Sequence, residues 1–122
     1  MLWVSPNRIF KILIFLVNGS PRLAISTGLT RLDINLLAAA FGVSRRRVRF
    51  ATADQALDIM GFQVGSMPPF GHRTCLYTVV DNTLVSGQMY YAGGGSSSAM
   101  IEIDVQKLVA ITGAKCAPLT KG

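Results

Sequence analysis

The sequence predicts a single α+β domain in which strands and short helices follow one another irregularly. About five or six segments are rich in Ile, Leu, Val and Phe and are bounded by Gly, Pro, Asn or Asp, which is typical of strands. Three further segments follow an Asp or Thr and stop at a glycine, which indicates short helices. At 122 residues, half of them hydrophobic, the chain can form one core but not two. The irregular order of the elements excludes a regular strand–helix–strand winding.

The first two predicted strands form a hairpin. Ile9–Val17 is an apolar run that ends at Asn18-Gly19-Ser20-Pro21, a strong turn signal, and Arg22–Thr27 follows it as the second strand. Lys11 is the one charged residue in the first run. It shares a strand face with apolar side chains, so its ammonium group either reaches solvent at the start of the strand or points into a polar pocket.

Each predicted helix has an N-cap residue and a terminating glycine. The three helices are Ile34–Phe41 between Asp33 and Gly42, a helix opened by the capping box Thr52–Gln55 that reaches about Met60 before Gly61, and Val105–Thr112 between Asp104 and Gly113. The remaining predicted strands are Cys75–Val80, Gln88–Ala92 and Ala99–Ile103. We expect residues 1–8 to be irregular, residues 9–113 to form the domain, and the tail Ala114–Gly122 to be frayed.

The charge of the chain is unevenly distributed. Twelve Lys and Arg residues against six Asp and Glu residues give a net charge of +6, which favours nucleic acid or an anionic membrane as a partner. The segment Val43–Arg49, with the following Phe50, is predicted to be a strand. Its apolar residues Val48 and Phe50 alternate with Arg47 and Arg49, which form a solvated basic face. Such a run is most often only a solvated face, but we also expect its arginines to contact RNA phosphates; they are Arg45, Arg46, Arg47 and Arg49.

Residues 61–72 form a loop with an unusual density of Gly and Pro. Such a loop is rigid and presents backbone N–H and C=O groups in a fixed pattern, either as a structural turn or as a binding loop. Its segment Gly65-Ser66-Met67-Pro68-Pro69-Phe70-Gly71-His72 resembles the G-x-x-P-x-[FL]-G signature of the YbaK/prolyl-tRNA-synthetase-associated domain family, whose members are aminoacyl-tRNA editing hydrolases. Two further matches, Tyr91-Ala92-Gly93-Gly94-Gly95 and Phe10-Lys11, occur in the order of the family, and the resemblance covers roughly residues 8–113.

The resemblance implies a twisted mixed sheet, partly barrel-like, with helices packed around it, and trans-editing hydrolysis of mischarged tRNA. An inactive tRNA- or nucleotide-binding module of the same fold is the alternative. Lys11 and Gly65 are the implied catalytic residues, with Lys11 holding phosphate or ester oxygens. The implied or candidate substrate-binding residues are Ser66, Pro68, Gly71, His72, Asp81, Gly93, Gly94 and Gly95.

No cofactor or metal is predicted, because the chain has one histidine and two cysteines without metal spacing. The expected partners are a mischarged aminoacyl-tRNA and an aminoacyl-tRNA synthetase, with no membrane. A cytoplasmic location is the simplest interpretation, with organellar targeting open for a longer form. Ile12 and Ala92 stand where cysteinyl-tRNA-specific members carry Thr and Ser, which argues against that substrate. Only ten residues precede Lys11 where the family has helices, so we expect a truncated form that exposes apolar surface and self-associates.

Overall fold

Strands and helices follow one another in the irregular α+β order that the sequence predicts. The computed structural model describes residues 8–27, 31–61, 76–84, 88–93 and 100–120. The elements are β1 (Phe10–Val17), β2 (Ser20–Thr27), α1 (Ile34–Phe41), a 3-10 turn (Arg45–Arg47), β3 (Val48–Phe50), α2 (Ala53–Met60), β4 (Thr78–Asp81), β5 (Met89–Gly93), β6 (Met100–Asp104), α3 (Val105–Thr112) and β7 (Lys115–Ala117).

The predicted hairpin is formed by β1 and β2 through a two-residue turn. Asn18 and Gly19 both have positive φ angles, of 52° and 81°, as the type I′ turn of tight hairpins requires. This turn pairs Val17 with Ser20 and fixes the antiparallel register along the whole of both strands, as far as Phe10 opposite Thr27. The Asn18 backbone N–H also donates to the Arg47 carbonyl oxygen at 3.0 Å, so the turn lies against the 3-10 turn.

Most of the strands form a five-stranded mixed sheet in the order β3-β1-β2-β4-β7, and β5 and β6 form a separate antiparallel pair. β3 pairs antiparallel with the end of β1, whereas β2–β4 and β4–β7 are parallel pairs. A single parallel bridge between Ile9 and Tyr91 connects the two sheets. In the described part of the chain these pairings confirm a mixed sheet; they do not show the partly closed barrel that the resemblance implied.

All three predicted helices are present with the predicted caps. The Asp33 carboxylate accepts hydrogen bonds from the backbone N–H groups of Asn35 and Leu36, at 2.8 and 3.1 Å. Thr52 and Gln55 form the reciprocal capping box, and Asp104 caps α3. The terminating glycines adopt left-handed backbone conformations, which a residue with a Cβ rarely does.

The two faces of the main sheet bury two separate apolar clusters. Successive side chains of a strand point to opposite faces of the sheet. Ile14 of β1 and Val80 of β4 therefore belong to one cluster, here called the first, and Phe15 and Val79 belong to the other, called the second. The first cluster includes residues of α2, α3, β5 and β6, and the second includes Leu37 and Ala38 of α1. The main sheet is therefore the central layer, with helices against both faces.

The expectation of a frayed tail is wrong for residues 114–120. Lys115–Ala117 forms β7 in parallel with β4, and Leu119 is fully buried in the second cluster. Asp81, itself 1% exposed, accepts a hydrogen bond from the Leu119 backbone N–H at 3.2 Å and another from the Thr120 hydroxyl at 2.8 Å. The Leu119 carbonyl in turn accepts from the Asp33 N–H at 2.8 Å. One buried carboxylate thus fixes the C-terminal segment beside the start of α1.

The strand predicted over Val43–Arg49 is also wrong in part. Arg45–Arg47 forms a 3-10 turn, and only Val48–Phe50 is a strand. Val48 is buried, but Phe50, which the alternation placed on the dry face, is 55% exposed. β3 has only three residues and is at the sheet edge, so the sheet leaves its last side chain uncovered.

The bonding of Asp81 predicts a structural effect of its removal. Asp81→Ala leaves the Leu119 N–H and the hydroxyls of Thr83 and Thr120 without this acceptor. We expect a loss of about 2–4 kcal/mol in the free energy of unfolding, measured by urea denaturation. Asp54→Ala, at an exposed aspartate of α2, is the matched control and should change stability far less. Equal effects of the two substitutions would contradict the structural role of Asp81.

Candidate functional site

Lys11 lies near the start of β1, on the face that buries the second cluster. Phe15 and Val17 belong to that cluster and Leu13 packs against it, so the face predicted for Lys11 is confirmed. Lys11 itself is half-buried. Partial burial of an ammonium group costs free energy unless its surroundings are polar, so polar groups are expected beside Lys11.

Ser26 lies directly opposite Lys11 across the hairpin. Its side chain is fully buried, and its hydroxyl oxygen has no hydrogen-bond partner among the residues that the structure describes. A buried hydroxyl without a partner costs about 1–3 kcal/mol, and such groups are rare in native proteins. Ser26 is therefore a buried polar group opposite Lys11 with no hydrogen bond to any described residue.

Asp81 continues the same row of side chains on the next strand. β4 pairs with β2 in parallel as far as Val80 opposite Ile25, so Asp81 is one step further along, beside Ser26. At about 4.8 Å between neighbouring strands, the backbones of Lys11 and Asp81 are roughly 10 Å apart. The Asp81 carboxylate accepts hydrogen bonds from the C-terminal segment, so it has a structural role, and its part in substrate binding stays a prediction.

β5 ends at Gly93, the first glycine of the second motif, and approaches β1 on the edge away from β2. The bridge between Ile9 and Tyr91 is parallel, and two residues further along the two strands lie Lys11 and Gly93. Phe10 and Tyr90 stack with their ring centroids 5.1 Å apart and an interplanar angle of 15°, which fixes this approach. The structure therefore places Ser26 opposite Lys11 and brings β5, which ends at Gly93, to β1 at Ile9.

The β5–β6 pair is held in register below the glycine motif. Tyr91 lies opposite Glu102, and the hydrogen bond between their side chains, followed by the negative charge of Glu102, raises the pKa of the Tyr91 phenol. The phenol thus remains a neutral donor to the carboxylate at neutral pH. Tyr91 precedes Gly93, the last residue of β5, by two residues.

The remaining loop candidates cannot be placed relative to Lys11. Gly65, Ser66, Pro68, Gly71 and His72 lie outside the described residues, as do Gly94 and Gly95. The chain leaves α2 at Gly61, whose φ is 81°, and is described again from Leu76, beside β4. Their roles remain predictions.

Four arginines follow α1, and the structure separates them into two kinds. The Arg47 guanidinium donates to the Asn18 side-chain oxygen at 3.2 Å, so it supports the hairpin turn. The other three line an open cleft of about 710 Å³, here called the basic cleft, whose described lining residues are Ile34, Ser44, Arg45, Arg46, Val48, Arg49 and Phe50. No acidic residue is among these, so the cleft favours an anion.

The sequence of residues 1–111 matches the family of aminoacyl-tRNA editing domains. The chain belongs to this family. Among solved structures, it resembles that of a "putative trans-editing enzyme for prolyl tRNA synthetase", with 30% identity and a TM-score of 0.87 over 98% of this chain and 74% of that one. It also resembles the structure of a hypothetical protein, with 34% identity and a TM-score of 0.87 over 97% of this chain and 77% of that one.

A more distant likeness shows the fold alone. A "Putative signal transduction protein" from Marinobacter aquaeolei VT8 is 14% identical, with a TM-score of 0.69 over 98% of this editing domain and 26% of that chain. The α+β fold class and the family resemblance predicted from the motifs are confirmed. At the level of the family, the function is aminoacyl-tRNA editing. No helix in the described ranges is long and apolar enough to cross a membrane.

Sequence analysis missed two residues of the editing domain that the structure brings forward. The sequence indicates Ser26 only indirectly. A two-residue turn at Asn18-Gly19 sets the register of the hairpin, and this register pairs Lys11 with Ser26. Phe50 was expected on the dry face of a strand, and its exposure follows from its place at the sheet edge.

The unpartnered hydroxyl of Ser26 predicts an unusual response to its removal. Ser26→Ala should leave the free energy of unfolding unchanged or raise it by about 1 kcal/mol, because the substitution removes a buried polar group that forms no hydrogen bond with any described residue. Thr78→Val is the control, since the Thr78 hydroxyl donates to the Leu76 carbonyl at 3.0 Å, and it should destabilise the protein. A clear loss of stability in Ser26→Ala would show that the hydroxyl has a structural partner.

Proposed function

We propose that this protein is an aminoacyl-tRNA deacylase that hydrolyses the ester of mischarged tRNA in trans. The proposal is supported by one arrangement in a member of the editing family: Lys11 lies opposite Ser26 near the start of β1, and β5, which ends at Gly93, approaches the other edge of β1 at Ile9. These three residues combine a cation, a free hydroxyl and a strand end that leads into a glycine-rich segment. Such groups suit an ester carbonyl that becomes negatively charged.

The reaction needs little from the protein beyond positioning and charge stabilisation. Water attacks the ester carbonyl carbon, a new C–O bond forms, and the carbonyl oxygen becomes an oxyanion. The oxyanion then re-forms the C=O bond as the bond to the ribose oxygen breaks, and the ribose oxygen takes up the proton that the attacking water has lost, so that free amino acid and tRNA are released. The Lys11 ammonium is the proposed electrostatic partner of the oxyanion or of the adjacent phosphate, with backbone N–H groups of Gly65 and of residues 93–95 as further donors.

Ser26 has a positioning role in this proposal. Its buried hydroxyl gains a partner when a substrate oxygen or the attacking water lies next to Lys11, and the cost of its unpaired state is then recovered. The binding energy of the substrate thereby orients the reacting groups. The opposite face of β1 offers no such group, because Ile12 packs against the first cluster there, and Ala92 is buried in the same cluster. Cysteinyl-tRNA is therefore not the proposed substrate.

RNA binding is proposed to use the basic cleft. Arg45, Arg46 and Arg49 are exposed around it, and their guanidinium groups have no side-chain partner in the described part of the chain. Phosphate contacts of this kind position a nucleic acid without reading its sequence. They also operate without Lys11, which is why an inactive tRNA-binding module is the alternative function.

The substitution Lys11→Ala tests the catalytic proposal. Hydrolysis of a panel of mischarged tRNAs should fall by about 100-fold or more, because the charge at the developing oxyanion is lost. Lys11→Arg should restore little, since the planar guanidinium does not replace a compact point charge. Lys107→Ala, at an exposed lysine of α3, is the control. If Lys11→Ala keeps most of the rate, the lysine is structural; if the unsubstituted protein binds tRNA but deacylates none of the panel, the alternative function is correct.

The electrostatic contribution of the basic cleft is tested separately. Replacing Arg45 and Arg49 together with Ser should weaken tRNA binding and reduce the slope of log affinity against log salt by about 1 per arginine. The matched control replaces Lys107 and Lys115, which lie on α3 and β7, and removes the same charge elsewhere. Equal losses in the two double variants would show that only net charge matters, and an unchanged slope would place the RNA contacts elsewhere.

A further inference from the structure

Phe50 is an exposed aromatic residue whose ring is nevertheless held in place. It lies opposite Phe15 in the β1–β3 pairing, with the ring centroids 4.5 Å apart and an interplanar angle of 36°. Phe15 is fully buried, whereas 55% of Phe50 is exposed. One side of the Phe50 ring therefore rests on the core, and the remaining ring surface faces solvent as a preoriented platform.

The surroundings of this ring combine positive charge with apolar surface. Phe50 lines the basic cleft together with Arg45, Arg46 and Arg49. A peptide without acidic residues, or an uncharged lipid tail, gains little from three guanidinium groups around an aromatic ring. A strand of unpaired nucleotides matches both features, because its phosphates bind arginine and its bases stack on aromatic rings. Duplex RNA presents phosphates but no free base face.

The basic cleft and Lys11 lie along the same edge of β1. β3 pairs with this edge at Phe15–Val17, and β5 approaches it at Ile9. Within the described ranges, no strand pairing occupies the edge between these two points. Lys11 and Phe15 share a face and are four residues apart, which corresponds to about 13 Å along an extended strand.

We propose that the basic cleft binds an unpaired nucleotide near the acylated end of the tRNA, with Phe50 stacking on its base. The proposal rests on the deacylase function proposed above, since it places the ester at Lys11. At about 3.4 Å per stacked nucleotide, the separation of the two sites corresponds to roughly four nucleotides. Phe50 thus stacks on a base at a fixed distance from the ester, and the three arginines bind the phosphates of the single-stranded end.

The test compares two RNA probes by fluorescence anisotropy. One is a hairpin with an unpaired four-nucleotide 3′ extension, and the other is the same hairpin with a blunt end. Phe50→Leu keeps an apolar contact with Phe15 but has no aromatic face, so it separates stacking from folding. It should weaken binding of the extended probe by about 5- to 150-fold and leave the blunt probe and the salt slope unchanged. Phe50→Trp should retain or improve binding of the extended probe.

Two further measurements test whether the effect is specific to stacking by Phe50. Ile111→Ala removes an apolar side chain that is 52% exposed on α3 and should leave both probes unaffected. An abasic scan of the extension should abolish the difference between the unsubstituted protein and Phe50→Leu at one position, roughly four nucleotides from the 3′ end. Circular dichroism and the urea midpoint of each variant establish that it is folded.

Several results would overturn the proposal. Equal binding of the extended probe by Phe50→Leu and the unsubstituted protein would show that the ring does not stack on RNA, even if deacylation persists and the proposed function stands. An equal loss for both probes would indicate a general effect on the cleft. Binding to vesicles with anionic lipid that depends on Phe50, without a matching effect on RNA, would identify a membrane surface as the partner instead. If Phe50-dependent binding is found but no tRNA is deacylated, the nucleotide site is supported and the deacylase function is contradicted.

Discussion

A two-residue turn, Asn18-Gly19, determines which residues face one another across the hairpin at the centre of the main sheet. Its positive φ angles pair Val17 with Ser20, and the register then continues to Lys11 opposite Ser26. A slip of one residue would exchange the faces of every side chain on one strand. Lys11 would then face the first cluster, without the Ser26 hydroxyl beside it. The contacts of Asn18 with Arg47, one backbone and one side-chain, hold this turn against the segment that leads into β3.

The edges of β1 explain how distant parts of the chain meet at the proposed site. β2 covers one edge completely, whereas the other edge is shared between β3 at its end and β5 at its start. The end of β5 and Lys11 therefore lie near the start of this strand edge, and the basic cleft beside β3 lies near its end. A single strand of stacked nucleotides suits this linear arrangement better than a compact small molecule.

Local sequence patterns were sufficient for the elements whose signals are local. The hairpin turn, the N-cap side chains and the terminating glycines are read from a few neighbouring residues, and the structure confirms them. Motif resemblance gave the family, which the match over residues 1–111 confirms. The Lys11–Ser26 pair was also within reach, since the length of the turn determines the pairing.

The features that were missed depend on contacts between distant residues. Residues 114–120 carry no periodic pattern, and their order depends on Asp81, 38 residues before Leu119 in the chain. The alternation of Val48 and Phe50 is the same in an edge strand and in a buried one, so the exposure of Phe50 follows only from the sheet order. The alternation of arginine and apolar residues over Arg47–Phe50 likewise did not show that the preceding residues, Arg45–Arg47, form a 3-10 turn.

In the proposed mechanism, Lys11 and Ser26 act on the ester as one unit. A double-mutant cycle on the deacylation rate, with Lys11→Ala, Ser26→Ala and the combined variant, tests it most directly. If the two residues cooperate, each single substitution slows hydrolysis and the combined variant is little slower than Lys11→Ala alone. If the two losses multiply independently, or Ser26→Ala retains the full rate, the proposed unit of Lys11 and Ser26 is contradicted.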